Sequence, residues 1–224
     1  MKTDTAHRAW DLRWATTEGR AEWLMPDPDV AEVVEELAGR PDPVRALDLG
    51  CGVGRHALLF ARLGLDTTAI DLAEQGIAEV RRNAEAEGLT IRTLAAPMTE
   101  LPFPDGAFDY VLAFNVIYHG DPNIVRSTFA EIRRVLAPGG TFQGTMLSKR
   151  NAGFGVGTEV APNTFVREAT AADGDDSDKS HPHFYCNAAE LIELLAGFEL
   201  RSLRDVVQKK PGAWHWQFVA ERLG

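Results

Sequence analysis

The stretch Val44–Gly64, VRALDLGCGVGRHALLFARLG, constrains the fold of this chain more than any other. Val44–Leu49 is a short apolar run of the kind buried on both faces of a parallel sheet. Gly50, Gly52 and Gly54 follow at once, where missing Cβ atoms allow a sharp turn and let a ligand approach the backbone. From Arg55 to Leu63, Ala57, Leu58, Phe60, Ala61 and Leu63 carry helical spacing, and Gly64 suits the helix end. A strand, a glycine turn and a helix N-terminus make a nucleotide-binding corner. The pattern is G-x-G-x-G preceded by Asp48, whereas a nicotinamide fingerprint reads G-x-G-x-x-G.

The residues that follow extend this corner into an α/β succession. Asp29 is positioned to cap a helix over VAEVVEELAG ahead of the first strand. A second strand over 66–72 carries Asp71, which lies 21 residues past Gly50. That is the distance at which a βαβ unit returns a carboxylate to a bound ribose. The alternative is that Asp71 caps the helix beginning near Ala73. A third strand spans 90–96 and leads to Pro97, Met98 and Thr99, then to LPFPDGAFD. The fourth strand, 108–116, is nearly continuous apolar sequence. It delivers Asn115, Tyr118 and His119 beyond its C-terminal end, where open parallel sheets hold ligands. A helix, an L-x-P-G-G turn and a fifth strand over 141–148 follow. Residues 149–183 lose periodicity and read as a lid or acceptor-binding insertion. Two closing runs, 199–209 and 214–223, read as a hairpin whose Trp214, Trp216 and Phe218 face the core.

With the glycine turn, the acid ahead of it, LPFPDGAFD and L-x-P-G-G in this order, the chain resembles class I S-adenosylmethionine-dependent methyltransferases from Val44 to Leu223. The resemblance implies a Rossmann-like α/β fold: a mostly parallel seven-stranded sheet with a C-terminal antiparallel hairpin, in one domain. Trp10-Asp11-x-Arg13-Trp14 is similar to the N-terminal cap segment of small-molecule members, so residues 1–40 are expected to form a helical cap. It further implies S-adenosyl-L-methionine as cofactor and S-adenosyl-L-homocysteine as product. Asp48, Gly50, Gly52, Gly54, Asp71, Leu72, Met98, Thr99 and Asn115 would then hold the cofactor. Asp48 would face its amino group and Asp71 its ribose. The family usually carries an acid beside the adenine, and here Pro97, Met98 and Thr99 leave that contact to Met98 and backbone.

For the chemistry, His119 is the candidate general base, because an imidazole can take a proton near neutral pH. The competing role is a histidine that only secures the turn. Tyr118 is the first candidate for an aromatic face beside the sulfonium. Trp10, Trp14, Tyr118, His181 and His183 are the candidate acceptor-pocket residues. His181 and His183 form H-P-H, but no Cys, His or carboxylate cluster in the sequence supports a metal, and none is expected. The acceptor class stays open between a tellurite-resistance or thiol-methyltransferase-like enzyme and a ubiquinone-biosynthesis-like one. Two other readings remain: a non-catalytic S-adenosylmethionine-binding protein and a nicotinamide-dependent oxidoreductase.

Composition narrows the partners. A formal charge of −10 over 224 residues disfavours a phosphate-backbone partner, and Asn115-Val116-Ile117-Tyr118 lacks the prolines of the N-P-P-Y motif of nucleic-acid methyltransferases. No run reaches the roughly 20 apolar residues of a membrane span. The polar N-terminus lacks the apolar core of a signal peptide, so a cytoplasmic location is expected. Two cysteines are too few for a disulfide framework. Oligomeric state is not legible in the sequence.

Overall fold

A computed structural model describes residues 4–168 and 178–224. Three helices open the chain: α1 (His7–Trp14), α2 (Thr17–Ala21) and α3 (Pro28–Ala38). Asp27, rather than Asp29, caps α3: its carboxylate accepts the Asp29 N–H at 3.1 Å, and Pro28 takes the first helical position. Proline suits that place because its missing N–H would have had no helical partner.

The central layer follows as β1 (Arg45–Leu49), α4 (Arg55–Arg62), β2 (Asp66–Asp71), α5 (Glu74–Glu87), β3 (Ile91–Ala95), β4 (Phe108–Ala113), α6 (Pro122–Val135) and β5 (Leu136–Ser148). Strands β3, β2, β1, β4 and β5 lie side by side in that order, all parallel. The P-G-G turn sits inside β5. Phe108 pairs with Leu136 and Tyr110 with Thr141, so residues 137–140 loop out of the ladder. β4 ends three residues before the apolar pattern does, because Asn115 turns into the left-handed region at φ 59°.

The chain closes with β6 (Thr158–Ala161), β7 (Thr164–Val166), β8 (His183–Cys186), α7 (Ala188–Leu194), β9 (Phe198–Val207) and β10 (Trp214–Arg222). β10 runs antiparallel to β5 and β9 antiparallel to β10, giving the expected seven-stranded run and its terminal hairpin. Three further strands correct the expected count. β8 joins the end of β5 through Leu147↔Tyr185 and Ser148↔Cys186, and β7 and β6 pair outward from it. The described parts of 149–183 therefore hold two short strands and the start of a third among loops, packed by Phe154, Phe165 and Tyr185 with ring centroids 5.4–6.0 Å apart. Residues 169–177 of that stretch lie outside the described residues.

The core follows the sheet. Leu47, Leu49, Ile70, Val111, Phe142 and Phe218 are fully enclosed, and α6 covers them with Phe129 and Ile132. Along β10 the expected alternation is only partly kept. Phe218 is buried and Trp216 is partly buried against the core, but Trp214 is only partly buried and lies outside that cluster, while His215 is buried. Arg150 lies over the Trp214 ring, which explains why this indole stays at the surface. Among the described residues no helix is long and apolar enough to cross a membrane.

Candidate active site

A deep pocket opens at the C-terminal ends of β1, β2 and β4. Gly50, Cys51 and Gly52 form one wall, Asp71 and Leu72 a second, and Ala96–Thr99 a third. The segment 114–119 contributes Asn115, Val116 and His119, and the N-terminal helices roof the pocket with Trp10, Trp14 and Trp23.

The glycine turn is locked to β2. Asp71 accepts the Gly52 N–H on Oδ2 at 2.9 Å and the Ala73 N–H on Oδ1 at 2.8 Å. The capping role and the pocket-facing role are thus combined in one carboxylate. Each oxygen keeps a lone pair for a hydroxyl donor, and the two amides fix where it points. Burial raises the Asp71 pKa above the ordinary carboxylate value, with the backbone hydrogen bonds opposing the rise.

Two of the expected cofactor residues do not line the pocket. Asp48 is 1% exposed and turns away, its Oδ2 accepting the Ala57 N–H of α4 at 3.0 Å. It ties β1 to the first turn of α4 from below, and burial pushes its pKa up to about 7. Gly54 takes φ 85° at the helix start, where a Cβ would come within 2.6 Å of Val80 on α5. Its role is helix packing rather than ligand contact.

The aromatic roof is continuous. Trp10 stacks on Trp14 at 5.0 Å between centroids, and Trp23 meets both edge-on at 5.2 and 5.8 Å. Trp14 rests on the glycine turn, its ring 3.1 Å from where a Gly52 Cβ would stand. Trp10 reaches toward His119, with centroids 6.1 Å apart. Sequence reasoning left Arg55 out of the cofactor set, although it follows the glycines directly. Its guanidinium borders the pocket between the Trp23 and Phe114 rings, and burial lowers its pKa. Phe114 was likewise missed as a wall, being indistinguishable from a core strand residue.

Tyr118 departs from its expected place. It is 5% exposed and absent from the pocket wall, lying behind His119 at 4.6 Å between centroids and beside His183 and His215. The indoles occupy the aromatic position expected of it. His181 and His183 also lie off the wall, His181 Nδ1 meeting the Thr5 hydroxyl at 2.8 Å. His119 does border the pocket. Its Nδ1 donates to the Val116 carbonyl at 3.1 Å, and burial lowers its pKa. The structure also assembles what the sequence did not suggest: His119, His183 and Asp178 converge within 4.8 Å through their ligand atoms.

Residues 46–140 match the family model described as a methyltransferase domain. That stretch, 95 of the 224 residues, is similar to a methyltransferase domain. Among curated proteins it is 43% identical over 108 residues to the demethylmenaquinone methyltransferase of Thermus thermophilus, covering 47% of this chain and 48% of the relative. The ubiquinone biosynthesis O-methyltransferase of Bordetella avium is 36% identical over 112 residues, 49% of this chain and 45% of the relative. The matches thus span about half the length of these relatives. Among solved structures, the 1,6-didemethyltoxoflavin-N1-methyltransferase of Burkholderia thailandensis, crystallised with 1,6-didemethyltoxoflavin and S-adenosylhomocysteine, superposes with a TM-score of 0.72. That likeness covers 98% of this chain and 88% of the other at 24% identity. The chain shares that enzyme's fold over nearly its full length.

Proposed function

We propose that this protein is a cytoplasmic enzyme that moves the methyl group of S-adenosylmethionine to a small, ring-bearing acceptor by in-line displacement. The observation that carries this reading is Asp71, held by two backbone amides at the end of β2 with free lone pairs at the pocket wall. The other walls suit the same cofactor. Gly50 and Gly52 present bare backbone to it, while Leu72 and Met98 offer apolar faces for a purine. Arg55 is the cation placed to meet an amino-acid carboxylate. When bound, the cofactor supplies a sulfonium-activated methyl, so the protein need not generate an electrophile.

The chain's own work is alignment and exclusion of water. Trp10, Trp14 and Trp23 give flat apolar surface against which a conjugated ring can lie and the sulfonium charge can rest. The demethylmenaquinone, ubiquinone-precursor and toxoflavin-precursor activities of the similar proteins support a ring acceptor. Removal of a proton from a hydroxyl acceptor falls to the His119 side of the pocket.

The test combines calorimetry with S-adenosylhomocysteine and product release over a panel of catechols, hydroquinones, nitrogen heterocycles and thiols. Micromolar binding with turnover on ring acceptors is expected. Binding without turnover on any acceptor would favour a non-catalytic cofactor-binding protein. Binding of nicotinamide dinucleotide instead would overturn the reading, although a terminal β9–β10 hairpin was not expected of an oxidoreductase. His119→Ala should keep cofactor affinity and slow transfer to a hydroxyl by about 10²–10⁴.

A further inference from the structure

We infer that His119, Asp178 and His183 form a binding site for one divalent transition-metal cation beside the pocket. Its assignment to the acceptor end rests on the proposed function; the site itself rests on geometry alone.

The three residues come from separate places: the segment after β4, a short 3₁₀ turn over Asp178–Ser180, and the first position of β8. Both imidazoles have their tautomer set by backbone. His119 Nδ1 lies 3.1 Å from the Val116 carbonyl, and His183 Nδ1 lies 2.8 Å from the His181 carbonyl. A carbonyl oxygen only accepts, so each Nδ1 carries a hydrogen, and in the neutral imidazole each Nε2 is then a bare lone pair. Both Nε2 atoms face the same Asp178 Oδ2, at 3.5 and 3.4 Å. Three electron-rich atoms therefore point at one another with no hydrogen between them.

Distance separates the possible remedies. An imidazolium hydrogen-bonded to a carboxylate would close to about 2.7–2.9 Å. Neighbouring ligands around a tetrahedral cation with bonds of about 2.0–2.1 Å stand roughly 3.3–3.4 Å apart, close to the 3.4 and 3.5 Å of the two imidazole–carboxylate edges, and all three ligand atoms lie within 4.8 Å of one another. His119 Nε2 is buried without a hydrogen-bond partner, on a side chain only 7% exposed. An added proton would serve one imidazole and leave the other facing the carboxylate oxygen; a cation serves all three ligands. The hydrogen bonds from each Nδ1 to a carbonyl are the second shell that orients metal-binding histidines. Two imidazoles and one carboxylate suit zinc, iron, cobalt or nickel over magnesium or calcium, which prefer all-oxygen sets. Three protein ligands leave a fourth position for water or an acceptor oxygen, as in catalytic zinc sites. A bound hydroxyl there would lose its proton more readily.

The test is a cobalt(II) titration of chelator-stripped protein, read by visible absorption, followed by displacement with zinc. Saturation at one equivalent with a micromolar or lower Kd, and loss of the bands on adding zinc, is the expected result. Asp178→Asn and His183→Ala should each weaken cobalt binding at least tenfold, while His181→Ala, outside the trio, should not. Thermal unfolding of each variant reports that it is folded; if His183→Ala is not, the partly exposed Asp178→Asn decides alone. Absence of saturable cobalt bands, or equal affinity in wild type and Asp178→Asn, overturns the site. The titration needs neither cofactor nor acceptor, so failure of the methyl-transfer reading, seen as no S-adenosylhomocysteine binding, would be distinguishable from failure of this one.

Discussion

The two halves of the pocket are built on different plans. The half assigned to the cofactor is made by residues 49–99, close in sequence, at the ends of neighbouring parallel strands. The half assigned to the acceptor joins segments far apart. Thr5 meets His181 across 176 residues, Trp10 approaches His119, and His119 approaches His183. The first half is held by a hydrogen-bonded lattice that would exist in many sequences. The second depends on which large side chains meet over it. Recognition of a constant ligand can be written locally, whereas recognition of a variable one is assembled from the periphery.

The largest expected effect probes the frame beneath the cofactor half. Native Asp48 holds its proton up to about pH 7, while in the unfolded chain it ionises near 4. A raised native pKa stabilises the fold below pH 4, and that contribution is lost as pH rises through about 7. Relative to wild type, Asp48→Asn should flatten the decline between pH 4 and 7 by on the order of 2–4 kcal/mol, read by urea unfolding at several pH values. A parallel shift with no change in pH dependence would mean that Asp48 is ionised in the native state. Next, Gly54→Ala places a methyl against Val80 at φ 85° and should cost about 2–4 kcal/mol, seen as a lower Tm. Its cofactor affinity per folded molecule should hold.

Asp71→Ala should weaken S-adenosylhomocysteine binding by about 1.5–3 kcal/mol, measured by calorimetry. Unchanged affinity would remove the ribose assignment. The smallest effect is expected on the other side: Trp10→Ala should raise the acceptor KM by about 0.5–1.5 kcal/mol, two- to tenfold, and barely alter cofactor affinity. If Trp10→Ala and Asp71→Ala weaken the cofactor equally, the two halves are not separable.

This division also explains what could be read from the sequence. The strand–turn–helix at Val44–Gly64 and the return of Asp71 were legible because each is a local rule of spacing. The terminal hairpin was legible for the same reason. Asp48 carried the right identity for the motif but not its direction, since a carboxylate at the end of a buried strand can face the ligand or the helix above it. It faces Ala57. Asp27 rather than Asp29 became the helix cap because Pro28 suits the first helical turn, a signal that D-P-D contained. The trio at His119 was illegible because its carboxylate lies 59 residues from the first imidazole and is brought back by the pairing of β8 with β5. Tyr118 was misplaced because its neighbour, one residue on, takes the position at the wall.

The attachment of β8 to β5 has a consequence for how such a chain can diverge. β4 pairs with β5 only as far as Gly144, and β8 pairs with Leu147 and Ser148 beyond it. The added strands therefore occupy a ladder position that the parallel sheet leaves vacant, and they displace nothing in it. A lineage can lengthen, shorten or rewrite residues 149–186 while Gly50, Gly52 and Asp71 stay as they are. On the proposed function, acceptor contacts in this module can then change while those to the cofactor stay.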